Sequence, residues 1–300
     1  MNAALQRADI ARLLALGAIW GSSFIFVRVL APLLGPWATA ASRVALGGMV
    51  LVAYAMLLRR QVQLRRFWVA YAGMGLVNSA IPFTLFGFAA LHLPASYLGI
   101  LNSTTPLFAA LLASVWLDEP LTRGKLAGLG VGCAGVILVS GAGPVTADAM
   151  FGWAIAASLV ASFCYAASGI WLRRTAPEAP ALAVAGWSQL AAAAMLAPML
   201  AIAPWPIAPG VLRDPVILAD IVALAVVCSA AAYLLYYRLL QDVGPTRTFT
   251  VTFLIPLFGM LWAALFLRET ITPVMVVGCG LIISGTFTVL RPPTPRPRTA

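Results

Sequence analysis

The chain has 300 residues, of which 62% are apolar and 9% charged, with a formal net charge of +10. A soluble domain carries about 25% charged residues, so these proportions exclude an ordinary soluble globular protein and point to a chain dissolved in a bilayer. One histidine (His92) and four cysteines (Cys133, Cys164, Cys228, Cys279) standing singly in apolar runs, with no CxxC spacing, leave metal, cofactor and disulfide chemistry without a basis.

Apolar runs of about 20 residues, enough to cross a ~30 Å hydrocarbon core, recur along the whole length. They predict ten helices, at 11–30, 36–58, 67–90, 94–117, 123–141, 150–172, 178–200, 216–239, 245–267 and 272–290. The breaks between them are turn-rich or charged, as at Pro32–Pro36, Arg59–Arg66, Asp118–Pro120, Arg173–Pro180 and Pro204–Pro215. The first run is long enough to span and lacks a small-residue cleavage site, so it reads as a retained anchor. The tail 291–300 alternates proline and arginine and reads as disordered and cytoplasmic.

Basic residues set the expected orientation. With the N-terminus inside, fifteen Lys and Arg fall on the inner side, among them Arg12, Arg59, Arg60, Arg123, Lys125, Arg173 and Arg291, and only Arg213 and Arg268 in outer loops. Both termini are thus expected in the cytoplasm of a cell whose arginine, alanine and glycine usage suggests a bacterium, which makes the membrane its inner one. The positive charge is then a topology signal and implies no nucleic-acid partner.

The segment Pro106–Val139 recurs 150 residues later as Pro256–Val289, with twelve of 34 positions identical and no gap. The matches include Pro106/Pro256, Glu119/Glu269, Thr122/Thr272, Gly128/Gly278 and Gly135/Gly285. Two units are expected, 1–141 and 150–290, of five helices each. Five is odd, so the second unit would enter the membrane inverted. Inverted repeats around a midplane site are a recurring plan of secondary transporters that work by alternating access.

Several motifs also resemble a known family. Trp20-Gly21-Ser22-Ser23-Phe24, Arg43, Thr105-Pro106-Leu107-Phe108 with Leu117-Asp118-Glu119-Pro120-Leu121-Thr122, and a second copy in Ile255-Pro256 with Glu269-Thr270-Ile271-Thr272, resemble the EamA family of the drug/metabolite transporter superfamily. The second unit departs from the pattern, with Cys164-Tyr165-Ala166-Ala167-Ser168 in place of a tryptophan-glycine pair. The resemblance implies that helices one to four and six to nine surround a central cavity, with helices five and ten peripheral. It also implies carriage of small metabolites, often export of amino acids or related compounds. Efflux of multidrug or quaternary-ammonium cations and lipid flipping are the alternatives. An enzyme is not expected, because GxSxG, HExxH and paired intramembrane aspartates are absent.

Polar groups in hydrocarbon are costly unless paired or turned to a cavity, which makes them the candidate site. They are Ser23 in the first predicted helix, Asn78 in the third, Asn102 and Thr105 in the fourth, and Thr252 in the ninth. The aromatic candidates for lining a cavity are Trp20, Phe24, Tyr97, Tyr165, Trp187 and Tyr233. For each residue the competing role is packing or a bond between helices. Trp68, Trp171 and Tyr237 read as an interfacial belt, and Arg28 as a side chain reaching the outer interface. Arg43 is either a structural clamp on carbonyls or a partner for a substrate carboxylate. Asp220 reads as a snorkelling or capping residue. Glu119 and Glu269 read as structural carboxylates at helix starts, with Thr122 and Thr272 as N-caps. Gly124, Gly128 and Gly132 suit a close helix contact, either within the bundle or in a homodimer through helices five and ten.

Overall fold

The computed structural model describes residues 6–59, 62–141 and 149–290, and every regular element among them is helical. The expected disordered tail and the basic residues Arg60, Arg291, Arg296 and Arg298 lie outside the described residues. Among the described residues eight helices are long and apolar enough to cross a membrane: α1 (Arg7–Leu57), α2 (Leu64–His92), α3 (Ala95–Trp116), α4 (Arg123–Gly141), α5 (Ala149–Thr175), α6 (Ala181–Ile202), α7 (Pro215–Val243) and α9 (Pro273–Leu290). Between the last two lies a shorter apolar helix, α8 (Val251–Leu267), preceded by the single turn Pro245–Thr248. This is an all-helical polytopic membrane fold.

The first two predicted helices meet without a loop. They are the arms of α1, joined at Gly35, whose φ of 83° and ψ of 160° are non-helical. Pro36 has no N–H to give the Pro32 carbonyl, and the Trp205 indole Nε1 donates to that carbonyl at 3.2 Å instead. The Trp205 ring sits where a side chain at position 35 would be: an added Cβ would fall 2.6 Å from its Cγ. Glycine there serves both the positive φ and the close approach.

Interruptions inside other helices are equally local. α2 and α7 each contain a π-helical stretch, Gly75–Ala80 and Ala223–Ala231. α3 loosens at Ser103 and Thr104, just before Pro106, and resumes at Thr105. Thr122 and Thr272 accept the N–H of Lys125 and Met275 at 3.2 and 3.3 Å at the starts of α4 and α9.

Of the two ends of the bundle, one carries Arg12, Arg66, Arg173 and Lys125 and is held by ion pairs, the exposed Arg12 with Asp242 at 2.8 Å and the half-buried Lys125 with Glu119 at 3.2 Å. The opposite end is tightly packed: Leu30, Ala31, Ala89, Ala90, Leu93, Ala95 and Leu98 are all fully buried. Arg28, expected to reach the outer interface, has a partner near the end of α2. Its Nη1 donates to the Ala90 carbonyl, which Pro94 leaves without a helical donor.

α4 and α9 run antiparallel, with Gly128 against Gly285 and Gly135 against Gly278. A Cβ on Gly128 or Gly135 would lie 2.7 Å from the facing glycine's carbonyl oxygen. The glycine face that the sequence offers to a second copy of the chain is therefore occupied within one chain, which removes the reason for a homodimer through these faces. We expect Gly135→Leu to lower stability by about 1–3 kcal/mol through overpacking. Gly130→Leu, at a glycine with nothing within 4 Å, should leave the unfolding midpoint of the detergent-purified protein unchanged.

Candidate substrate cavity

A cavity of about 640 Å³ lies between α1, α2, α3, α5, α6, α7 and α8. At depth it is walled by Phe24, Val27 and Phe86, below the packed end. It widens toward the basic end, where Arg173, Ala176, Pro177, Ala179 and Leu240 form its mouth. One end of the bundle is closed and the other open.

Nine of the eleven candidate residues border this space. α1 contributes Trp20, Ser23 and Phe24, α2 Asn78, α3 Asn102 and Thr105, α5 Tyr165, α7 Tyr233 and α8 Thr252. The other two are elsewhere. Tyr97 is buried with its ring 5.8 Å from Phe151 in an edge contact. Trp187 borders a separate groove of about 310 Å³ between α2 and α6, with Trp68 and Leu190. Tyr236, Tyr237, Phe83, Phe86 and Arg43 also line the cavity. Tyr237, expected in an interfacial belt, thus lines the cavity, and its ring stacks on Tyr233 at 6.2 Å. The spacing of Tyr233, Tyr236 and Tyr237 (i, i+3, i+4) places all three on one face of α7, a signal the sequence contained.

Aromatic rings give the cavity its shape. Trp20 meets Tyr236 at 5.5 Å and Tyr233 at 6.4 Å, while Tyr165 stacks on Phe86 at 6.2 Å and meets Phe83 edge-on at 6.3 Å. Asn78 joins both walls: its Nδ2 donates to the Tyr233 hydroxyl at 3.3 Å and its Oδ1 accepts from Ser168 at 2.9 Å. The π-helical stretch of α2 that carries Asn78 is the local distortion beside this bridge.

The smaller hydroxyls are turned to their own helices. Ser23, Thr105 and Thr252 donate to the carbonyls of Trp20, Asn102 and Phe249 at 2.7, 2.8 and 2.8 Å. Thr105 thereby serves the carbonyl that Pro106 cannot reach. Such hydroxyls have spent their proton and keep acceptor lone pairs. The Asn102 side chain borders the cavity and makes no hydrogen bond with the described residues.

The charge in this space has one sign. Arg43 lies at depth and Arg173 at the mouth, and no Asp or Glu is among the described residues of the lining. Asp220 is outside it, and Asp214 is the N-cap of α7, accepting the Val216 N–H at 2.8 Å. No group of three or more His, Cys, Asp or Glu that could hold a metal ion occurs among the described residues.

Comparison with known proteins fits this geometry. The model of the EamA-like transporter family matches twice, over residues 10–141 and 152–291. The chain belongs to the EamA-like transporter family. Among relatives of this EamA-like transporter is an S-adenosylmethionine/S-adenosylhomocysteine transporter of Chlamydia muridarum, 27% identical, with 90% of this chain and 89% of that protein aligned. Another is a probable terminal-alkyne amino-acid exporter of Streptantibioticus cattleyicolor, 26% identical over 72% of this chain and 71% of that protein. A solved crystal structure shares the fold, with a TM-score of 0.64, 19% identity and coverage of 95% and 96% of the two chains. The protein is a multi-pass membrane transporter of this family.

The cavity makes an accessibility prediction for this EamA-like transporter. In a cysteine-free background, Asn102→Cys and Thr252→Cys should react with a hydrophilic methanethiosulfonate at least tenfold faster than Tyr97→Cys. Equal rates at all three positions would contradict the arrangement.

Proposed function

We propose that the chain is a secondary carrier that moves small organic metabolites by alternating access, with export of amino acids or related compounds as its task. In this reading the arms of α1 count as separate crossings and, with α2 to α9, make ten. They form two inverted units, 1–141 and 150–290, in a bacterial inner membrane with both termini in the cytoplasm. The observation that carries the reading is the cavity itself, lined by rings and polar groups, sealed at one end and open at the basic one. Under the expected orientation this is the inward-open state. Relatives named for amino-acid and S-adenosylmethionine transport support the substrate class. A cavity lined by cations and no carboxylate disfavours the efflux of quaternary ammonium compounds.

The two glutamates of the repeat suggest how the ends alternate. Both copies are built alike on the backbone: Asp118 and Arg268 have φ of 53° and 52°, and the next N–H, of Glu119 or Glu269, returns to Ala113 or Ala263 at 3.3 and 3.1 Å. The side chains differ. Glu269 accepts the N–H groups of Ala95 and Ser96 at 2.7 and 3.0 Å and the Ser96 hydroxyl at 2.7 Å. It caps the start of α3, a helix of the other unit, rather than the helix that follows it, which is where the sequence suggested a glutamate would act. Glu119 lies at the open end, paired with Lys125. A shift of 150 residues carries Ala95 and Ser96 onto Pro245 and Thr246. In the opposite state Glu119 would accept the Thr246 N–H, Pro245 having none to give, and hold the inner end as Glu269 holds the outer.

Counterflow tests the carrier. Proteoliposomes preloaded with mixed amino acids should take up a labelled one in a saturable, preload-dependent way. Trp20→Ala and Asn102→Ala should reduce that uptake at least tenfold with thermal stability near that of the parent protein. Uptake of no amino acid by folded protein would remove the substrate class, and wild-type rates in both variants would remove these residues from the site.

The latch has its own test. Glu269→Ala should lower thermal stability by about 1.5–3 kcal/mol, the range for hydrogen bonds to a charged group. Glu119→Gln, at a half-buried pair whose hydrogen bond from Lys125 an amide oxygen can still accept, should change stability by no more than about 1 kcal/mol and slow counterflow at least tenfold. Undiminished counterflow in Glu119→Gln would exclude the exchange of latches.

A further inference from the structure

Arg43 is the one deep charge of the cavity, and its environment is arranged around half of it. It lies on the second arm of α1, seven residues past Pro36, so about 10 Å along the helix from the kink. Its Nε donates to the Ser229 hydroxyl at 2.9 Å, and its Cζ lies 3.9 Å from the centre of the Phe83 ring. These contacts fix the plane and direction of the guanidinium. They leave both Nη atoms without a hydrogen-bond partner among the described residues, on a side chain that borders the cavity. A guanidinium buried only to clamp carbonyls would spend those donors on backbone, as Arg28 does with Ala90.

No carboxylate among the described residues supplies the missing counter-charge. Asp9, Glu119, Glu178 and Asp242 are paired with surface cations. Asp214 and Glu269 cap helix starts, and Asp118 and Asp220 are not in the lining. A cation at membrane depth is costly until an anion joins it. The Nη edge presents parallel N–H donors that match the two oxygens of a carboxylate. Nearby stand the Tyr165 and Tyr233 rings, Asn78, and the unengaged amide of Asn102, groups suited to the polar remainder of an amphiphilic solute.

We propose that Arg43 is the counter-ion for a solute bearing a single carboxylate, and that it determines which solutes the cavity accepts. The proposal rests on the carrier reading for its physiological meaning, but binding alone can test it. One singly charged guanidinium balances one carboxylate, whereas a phosphate dianion would leave a charge uncompensated.

The experiment uses full-length protein in a neutral detergent, with thermal unfolding followed by tryptophan fluorescence. The probes share a side chain: 3-phenylpropionate, L-phenylalanine and L-phenylalaninamide, with L-leucine and L-leucinamide as an aliphatic pair. Carboxylates should protect at concentrations at least tenfold lower than the matched amides. Arg43→Gln should abolish this preference, and Arg43→Lys should keep part of it. Ser229→Ala, which frees Nε while retaining the guanidinium, should weaken the preference and covers the case in which Arg43→Gln does not fold. Equal protection by acids and amides, a preference that survives Arg43→Gln, or no protection by any carboxylate probe would overturn the proposal. Stronger protection by inorganic phosphate or phosphatidylglycerol would overturn the carboxylate assignment. A carboxylate preference without counterflow would sink the carrier and keep the site, whereas counterflow that ignores the carboxylate would do the reverse.

Discussion

A proline leaves the carbonyl one turn before it without a helical donor, and the prolines of this chain create such carbonyls at the packed end and at the cavity wall. The fold answers with side chains. Pro36 strands the carbonyl of Pro32, which takes Trp205 Nε1; Pro94 strands that of Ala90, which takes Arg28; Pro106 strands that of Asn102, which takes Thr105 Oγ1. The first two donors come from elsewhere in the chain, so each satisfied carbonyl is also a tie between elements. Both lie at the packed end. The third is local and leaves its surroundings free, and it lies at the cavity wall. Where proline is answered from a distance the bundle is fastened, and where it is answered locally the bundle stays open.

The closed end also gathers the contacts that small residues permit. Gly35 admits the Trp205 ring, and a Cβ on Gly87 would come 3.0 Å from the Pro36 Cα. Glu269 adds a charged acceptor for the exposed amides at the start of α3, which gain from both the hydrogen bonds and the helix dipole. At the basic end the corresponding contacts are exposed ion pairs such as Arg66 with Glu178, which contribute little each and break at little cost. The energetic asymmetry between the two ends therefore runs the same way as the asymmetry of access.

Much of this was legible in the sequence because length and breakers act locally. Runs of apolar residues and the breaks at Arg59–Arg66, Asp118–Pro120 and Arg173–Pro180 need no tertiary information, and α2, α4, α5 and α6 fall where those signals place them. Polar residues at depth point to a cavity because lipid cannot satisfy them, and Asn78, Asn102 and Thr252 border one. Which aromatic ring faces the cavity was legible only in part: spacing groups Tyr233, Tyr236 and Tyr237 on one face of α7 but does not say what that face meets. In a membrane helix the lipid face and the packed face are both apolar, so periodicity does not separate Tyr97, buried against Phe151, from Tyr237, which lines the cavity. The partners of Arg28 and Glu269 were hidden for another reason: they lie 62 and 174 residues away, and only the fold brings them into reach.

Under the proposed two-unit reading, the halves differ most in the middle, where symmetry would be least useful. The π-helical stretches of α2 and α7 are related by the shift of 150 residues, which carries Ser79 onto Ser229. Ser229 receives Arg43, whereas the Ser79 hydroxyl is buried without a partner among the described residues. Matching distortions thus carry unequal chemistry: the amide bridge of Asn78 on one wall, a guanidinium anchored by Ser229 on the other. A carrier with equivalent ends and a symmetric centre could bind a solute in either of two orientations. A single off-axis cation removes that degeneracy, because the charged group of the solute has one place to go. Equivalent gates suit an equilibrium between two states, and an unequal centre suits recognition, so the repeat is expected to be kept at the ends and broken at the site.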